Sequence, residues 1–140
     1  LAQNAPLRVL TGAADEPAYL ADTLGWYAPA MQALAELPDG SRTLMLWEAR
    51  GYYAPLNTAA DVWIDRWRAD YWIFGSAEAV LAEWKQQGFT HVLYYRSGAD
   101  LVRETDTALE AAGWQELDRL TSLLPSVQVF GDAYILYRLP

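Results

Sequence analysis

The chain has 140 residues, 53% of them hydrophobic and 20% charged, with a formal net charge of −8. That length suits a single domain with a buried core, and the composition excludes a disordered tail. The acidic balance argues against a nucleic-acid surface, the lack of Cys excludes disulfides and thiolate chemistry, and a single His excludes a multi-histidine metal centre.

The reading is one α/β domain over residues 1–140, with 1–14 suited to a linker. Arg8, Val9 and Leu10 fit a short edge strand there. Because the chain opens on Leu1 rather than Met, it is read as a fragment of a longer protein. No apolar run reaches the roughly 20 residues of a membrane span, and no signal peptide is evident. Asp15 and Pro17 mark a helix start. Leu20, Leu24, Tyr27, Met31 and Leu34 then recur at steps of four and three, one face of a helix. Gly25 and Pro29 interrupt it, predicting a kink or two helices, the second over residues 27–37.

Pro38, Asp39 and Gly40 form a turn before the apolar run 43–47, T-L-M-L-W. An unbroken run of this kind suits a strand buried on both faces. It ends abruptly in Glu48, Arg50, Tyr52 and Tyr53. In open α/β sheets ligands gather beyond the carboxyl ends of strands, so the loop 48–55 is the first candidate surface. Residues 61–65 are expected as a short second strand, and 66–74 as either a helical turn or an ordered loop. Ser76 is a good N-cap, with Glu78 in the first turn and Gly88 as the stop. Strand 90–95 follows, then a helix over 100–112 stopped by Gly113, a short helix over 114–124, and a hairpin of 126–130 and 133–139 joined by Gly131 and Asp132. The expected architecture is a three-layer α/β/α sandwich: a mostly parallel sheet with strands 43–47 and 90–95 near its centre, and an antiparallel C-terminal hairpin at its edge.

No G-x-G-x-x-G, P-loop or G-x-S-x-G motif is present, so no cofactor is expected. His91, inside a strand, reads as a half-buried structural residue. Glu48 with Arg50 is the best polar pair: the carboxylate could act as acid or base and the guanidinium could hold an anion. The simpler reading is an ion pair closing the strand end. Seven aromatic residues crowd between Tyr52 and Phe74, too many for all to be buried easily. Trp63, Trp67 and Tyr71 would share a helix face packed on the sheet. Where such rings are exposed they suit sugar rings or a membrane–water interface. The candidate surface is therefore Glu48, Arg50, Tyr52, Tyr53, Asp61, Arg66, Trp67 and Trp72.

Several pieces, in order, carry a family resemblance. Residues 37–53 (L-P-D-G-S-R-T-L-M-L-W-E-A-R-G-Y-Y), 61–67 (D-V-W-I-D-R-W), 87–93 (Q-G-F-T-H-V-L) and 134–139 (Y-I-L-Y-R-L) resemble the soluble extracytoplasmic C-terminal domain of bacterial polytopic membrane glycosyltransferases. These are the GT-C enzymes of the dolichyl-phosphate-mannose-protein mannosyltransferase-like or aminoarabinose-transferase-like type. The resemblance spans residues 17–139. It implies an extracytoplasmic position, a membrane-embedded portion of the same chain as partner, and a polyprenyl-phosphate-linked sugar or glycan as ligand. The family's chemistry lies in membrane-embedded loops, so the resemblance carries over no catalytic residue. The competing reading is a freestanding Rossmann-like enzyme or binding module, with its site at the carboxyl end of the first core strand.

Overall fold

A computed structural model describes residues 25–140. The readings made for residues 1–24 lie outside it. The described elements are α1 (Tyr27–Ala35), β1 (Thr43–Leu46), β2 (Thr58–Ala59), α2 (Arg66–Phe74), α3 (Ala77–Gln86), β3 (His91–Tyr95), α4 (Arg96–Thr105), α5 (Ala111–Leu123), β4 (Ser126–Phe130) and β5 (Tyr134–Arg138). Among them no helix is long and apolar enough to cross a membrane.

The five strands form one open sheet in the order β2-β1-β3-β5-β4. β1 pairs in parallel with β2 and with β3, whereas β5 runs antiparallel to both β3 and β4. The sheet is thus evenly mixed rather than mostly parallel, because the C-terminal hairpin inserts β5 beside β3 and leaves only β4 at the edge. β1 and β3 are adjacent, with Thr43 opposite His91 and Leu46 opposite Tyr94.

Alternation along the strands divides the core in two. Leu44, Leu46, Val92, Tyr94 and Tyr137 pack with Trp67, Val80, Trp84, Trp114, Leu117 and Leu120 from α2, α3 and α5. Met45, Leu93, Tyr134 and Leu136 point the other way and meet Tyr27, Ala30, Met31 and Leu34 of α1. The α1 residues recur at steps of three, one and three, which places all four on one stripe. Pro29 falls in the first turn, where its missing N–H costs nothing.

Several expectations for element bounds are settled or changed. Residues 61–65 form a turn, and the second strand is Thr58–Ala59, too short to show a period of two. Residues 66–74 form a helix that ends at Gly75 in the left-handed region (φ 79°). The helix expected over 100–112 starts at Arg96, directly after β3, and ends at Thr105. Gly113 lies inside α5 instead of stopping a helix; its open Cα faces Leu109 and Tyr71, and its carbonyl accepts the Trp67 indole N–H at 3.0 Å. The close approach of two side chains, not a helix end, explains that glycine.

α3 begins where the sequence placed it. Ser76 is extended and its hydroxyl accepts the Ala79 N–H at 3.3 Å. Replacing Ser76 with Ala should lower stability by about 1 kcal/mol, read as a shift in the urea midpoint without a change in slope.

Candidate functional site

The backbone turns sharply where β1 ends. Trp47 has φ 67°, uncommon for a bulky residue, and its side chain is buried and stacked on Trp114 at 5.3 Å. Its indole N–H has no hydrogen-bond partner among the described residues. Backbone strain and an unpaired buried donor coincide at the carboxyl end of the first core strand, where sites in α/β folds are found.

Glu48, the next residue, is 2% exposed. Arg50 donates to its carboxylate three times: Nε to Oε1 at 2.8 Å, an Nη to Oε2 at 2.8 Å, and the backbone N–H to Oε1 at 2.9 Å. The Tyr134 hydroxyl donates to Oε2 and accepts from Arg50 at 2.8 Å. Burial pushes the Glu48 carboxyl up, but the Arg50 and Tyr134 hydrogen bonds outweigh it and hold the group below the usual carboxylate range. Burial, reinforced by Glu48, raises the Tyr134 phenol well above its ordinary value. Glu48 is therefore a closed-in anion and is not a free general base.

Aromatic rings flank the Arg50 guanidinium. It lies 4.6 Å from the Tyr27 ring centre and 5.9 Å from that of Tyr95, while Tyr95 stacks on Tyr134 at 4.6 Å. The Tyr27 hydroxyl donates to the Arg50 carbonyl at 2.5 Å. The Arg50 side chain remains 39% exposed. Tyr52 and Tyr53, 65% and 47% exposed, meet edge to face at 5.0 Å, and Tyr52 lies 6.0 Å from Tyr27. An anionic group meeting Arg50 here would have ring faces beside it for an apolar body.

Asp61 is 5% exposed and its carboxylate is fully engaged. Oδ2 accepts the Trp47 N–H at 3.0 Å, and Oδ1 accepts the Asp65 and Arg66 N–H groups, both at 3.1 Å. It fastens the start of α2 to the end of β1 and is structural. Arg66 pairs with Asp70, which also accepts the Trp84 indole N–H at 2.6 Å, joining α2 to α3. Trp67 is fully buried against Trp84 and Tyr71, so it does not belong to the surface.

Trp72 is 84% exposed, and Ala69, three residues before it, and the adjoining Ile73 are exposed too. The loop before α2 continues this face. Val62 and Trp63 are 62% and 87% exposed, and with Ala69 and Arg66 they line a groove of about 390 Å³. Trp63 is outside the helix and does not share the Trp67–Tyr71 face. The eight expected residues thus separate into three groups. Glu48, Arg50, Tyr52 and Tyr53 are together beside α1. Asp61, Arg66 and Trp67 are structural ties or core. Trp72 belongs to an apolar strip over α2, on the face opposite α1. The sequence reading missed Tyr27, Tyr95 and Tyr134 as the walls around Arg50; the step of four from Tyr27 to Met31 gave only the burial of Tyr27. Among the described residues no group of His, Asp and Glu is placed to hold a metal ion. No protein-family model matches the chain, and neither a curated protein nor a solved structure matches it.

Proposed function

We propose that this chain is a non-catalytic extracytoplasmic domain of a membrane glycosyltransferase that uses a polyprenyl-phosphate-linked sugar, and that it aids recognition of acceptor or donor. The observation that carries this reading is the state of Glu48. The acidic group best placed for chemistry is locked by Arg50 and Tyr134, while the Tyr52 and Tyr53 rings and part of the Arg50 guanidinium stay open. That arrangement favours holding an anionic sugar derivative over transferring its glycosyl group. The strip of Val62, Trp63, Ala69, Trp72 and Ile73 supports a second contact, with the membrane-embedded portion of the same chain, since Trp at high exposure suits a membrane-proximal surface. The same reading completes the fold as a three-layer α/β/α sandwich in which α1 is the described part of the second helical layer.

The test is a titration of the purified chain with a sugar phosphate and with a neutral oligosaccharide, followed by amide shifts. Shifts centred on Arg50, Tyr52 and Tyr53, weakened several-fold in Tyr52→Ala and Tyr53→Ala, are expected. No sugar transfer from a polyprenyl-phosphate donor is expected. Turnover abolished by Glu48→Gln would instead favour the freestanding enzyme, and silence at millimolar ligand would leave only the protein-contact role.

A further inference from the structure

A second groove lies at the opposite, amino-terminal rim of the sheet. It encloses about 450 Å³ and is lined by Lys85, Phe89, Thr90, His91, Arg138 and Leu139, with Gly88 and Pro140 at its margins. Its charge is unusual for this chain. Arg50, Arg66, Arg68, Arg103 and Arg119 each pair with a carboxylate. Arg42 and Arg96 donate to main-chain carbonyls, and Arg8 lies outside the described residues. Of the ten Lys and Arg residues, that leaves Lys85 and Arg138 without such a partner among the described residues. Both line this groove, beside the chain's one histidine, and among the described residues no acidic residue does.

The pairing of His91 with Arg138 needs a reason. They sit directly opposite each other on β3 and β5, where two cationic groups repel across the ladder. Lys85 alone would be explained by the C-terminal end of α3, whose exposed carbonyls favour a cation. That does not explain the other two. His91 is 8% exposed, and its Nδ1 lies 2.8 Å from the Thr90 hydroxyl. That hydroxyl also accepts the Arg42 N–H at 2.9 Å and donates to the Arg42 carbonyl at 3.2 Å. Nδ1 and the Thr90 hydroxyl share one hydrogen bond, which either neutral tautomer can make; on the protonated ring both nitrogens are donors. Nε2 makes no hydrogen bond among the described residues and is a donor whenever the ring is protonated.

We propose that the groove of Lys85, His91 and Arg138 is an anion site, taking a small phosphate or carboxylate compound whose apolar body rests on Phe89 and Leu139. The two exposed cations attract the charged oxygens, and His91 donates Nε2–H once it is protonated. Arg138 is the charged group that acts on the imidazole, and burial together with Arg138 holds its proton affinity below the ordinary value. A bound anion offsets that repulsion, so binding and proton uptake are linked: affinity rises as pH falls through the histidine's range, and the bound anion moves that range upward. This site is independent of the Arg50 surface at the other rim.

Because His91 is the only histidine, its ring proton signals report the site without ambiguity. Sulfate, whose charge is constant over this range, should raise the apparent His91 pKa by about one unit at saturation, which corresponds to about tenfold tighter binding to the protonated form. Phenyl phosphate should bind more tightly than inorganic phosphate. Lys85→Gln and Arg138→Gln, both at exposed positions, should each weaken binding several-fold, and the double variant should abolish the pKa response. Vesicles of phosphatidylcholine with and without phosphatidic acid distinguish the source of the anion. A response to the free anions alone assigns a soluble ligand, and one to the acidic vesicles alone assigns a lipid headgroup. His91 signals unmoved by sulfate, both phosphates and vesicles, or moved equally in the double variant, would overturn the proposal.

Discussion

Replacing Asp61 with Ala should destabilise the fold by roughly 3 kcal/mol or more, since a buried donor left without a partner costs about 1–3 kcal/mol. The carboxylate accepts three backbone N–H groups, from Trp47, Asp65 and Arg66. Removing it strands the Trp47 donor at a position already strained by a positive φ. It also uncovers the first turn of α2, whose amides have no partner within the helix. Asp61→Asn keeps one oxygen but offers an N–H where an N–H must be accepted, so it should recover only part of the loss. Urea unfolding followed by tryptophan fluorescence measures both. The same variants separate structure from function at this position: if either is as stable as the parent chain, Asp61 is not the tie that the geometry describes.

The strands were readable wherever burial on both faces made an unbroken apolar run, as in Thr43–Leu46 and His91–Tyr95. α3 was readable from its Ser76 cap and its Gly88 stop, which adopts φ 87°. β2 was not, because two residues held by pairing to β1 leave no periodic trace. Gly113 misled the reading because a glycine that admits neighbouring side chains looks the same in sequence as one that ends a helix. The site was half legible. Glu48 and Arg50 stood out as a polar break after a strand, and they do pair. Tyr134 joins them from 86 residues away, a contact that no local pattern encodes. The aromatic crowding between Tyr52 and Phe74 signalled correctly that some rings must be outside, but not which. Trp67 and Trp72 differ by five positions, which on a helix turns one inward and the other outward.

Glu48→Ala should cost about 2–4 kcal/mol, below the 3–5 kcal/mol of a fully enclosed pair because Arg50 stays 39% exposed and can rehydrate. The Tyr134 hydroxyl, by contrast, loses its acceptor in the interior. Tyr134→Phe removes one hydrogen bond without stranding a charge and should cost less, about 1–2 kcal/mol. The ionic part of the Glu48 contribution carries its own pH signature. Its folded-state pKa is depressed, so the carboxylate binds its proton less readily in the folded chain than in the unfolded one. Stability from this group is therefore fully present above the unfolded value of about 4.3 and is lost as pH falls through the lower, folded value. Glu48→Gln lacks that dependence. The stability difference between the parent chain and Glu48→Gln should be constant from pH 6 to 8 and should shrink steadily below about pH 4. Urea midpoints for both proteins across this range give the comparison. A difference that stays flat to pH 3 would show that the Arg50–Tyr134 cradle does not hold Glu48 as an anion, and would reopen it as a group able to exchange protons with a ligand.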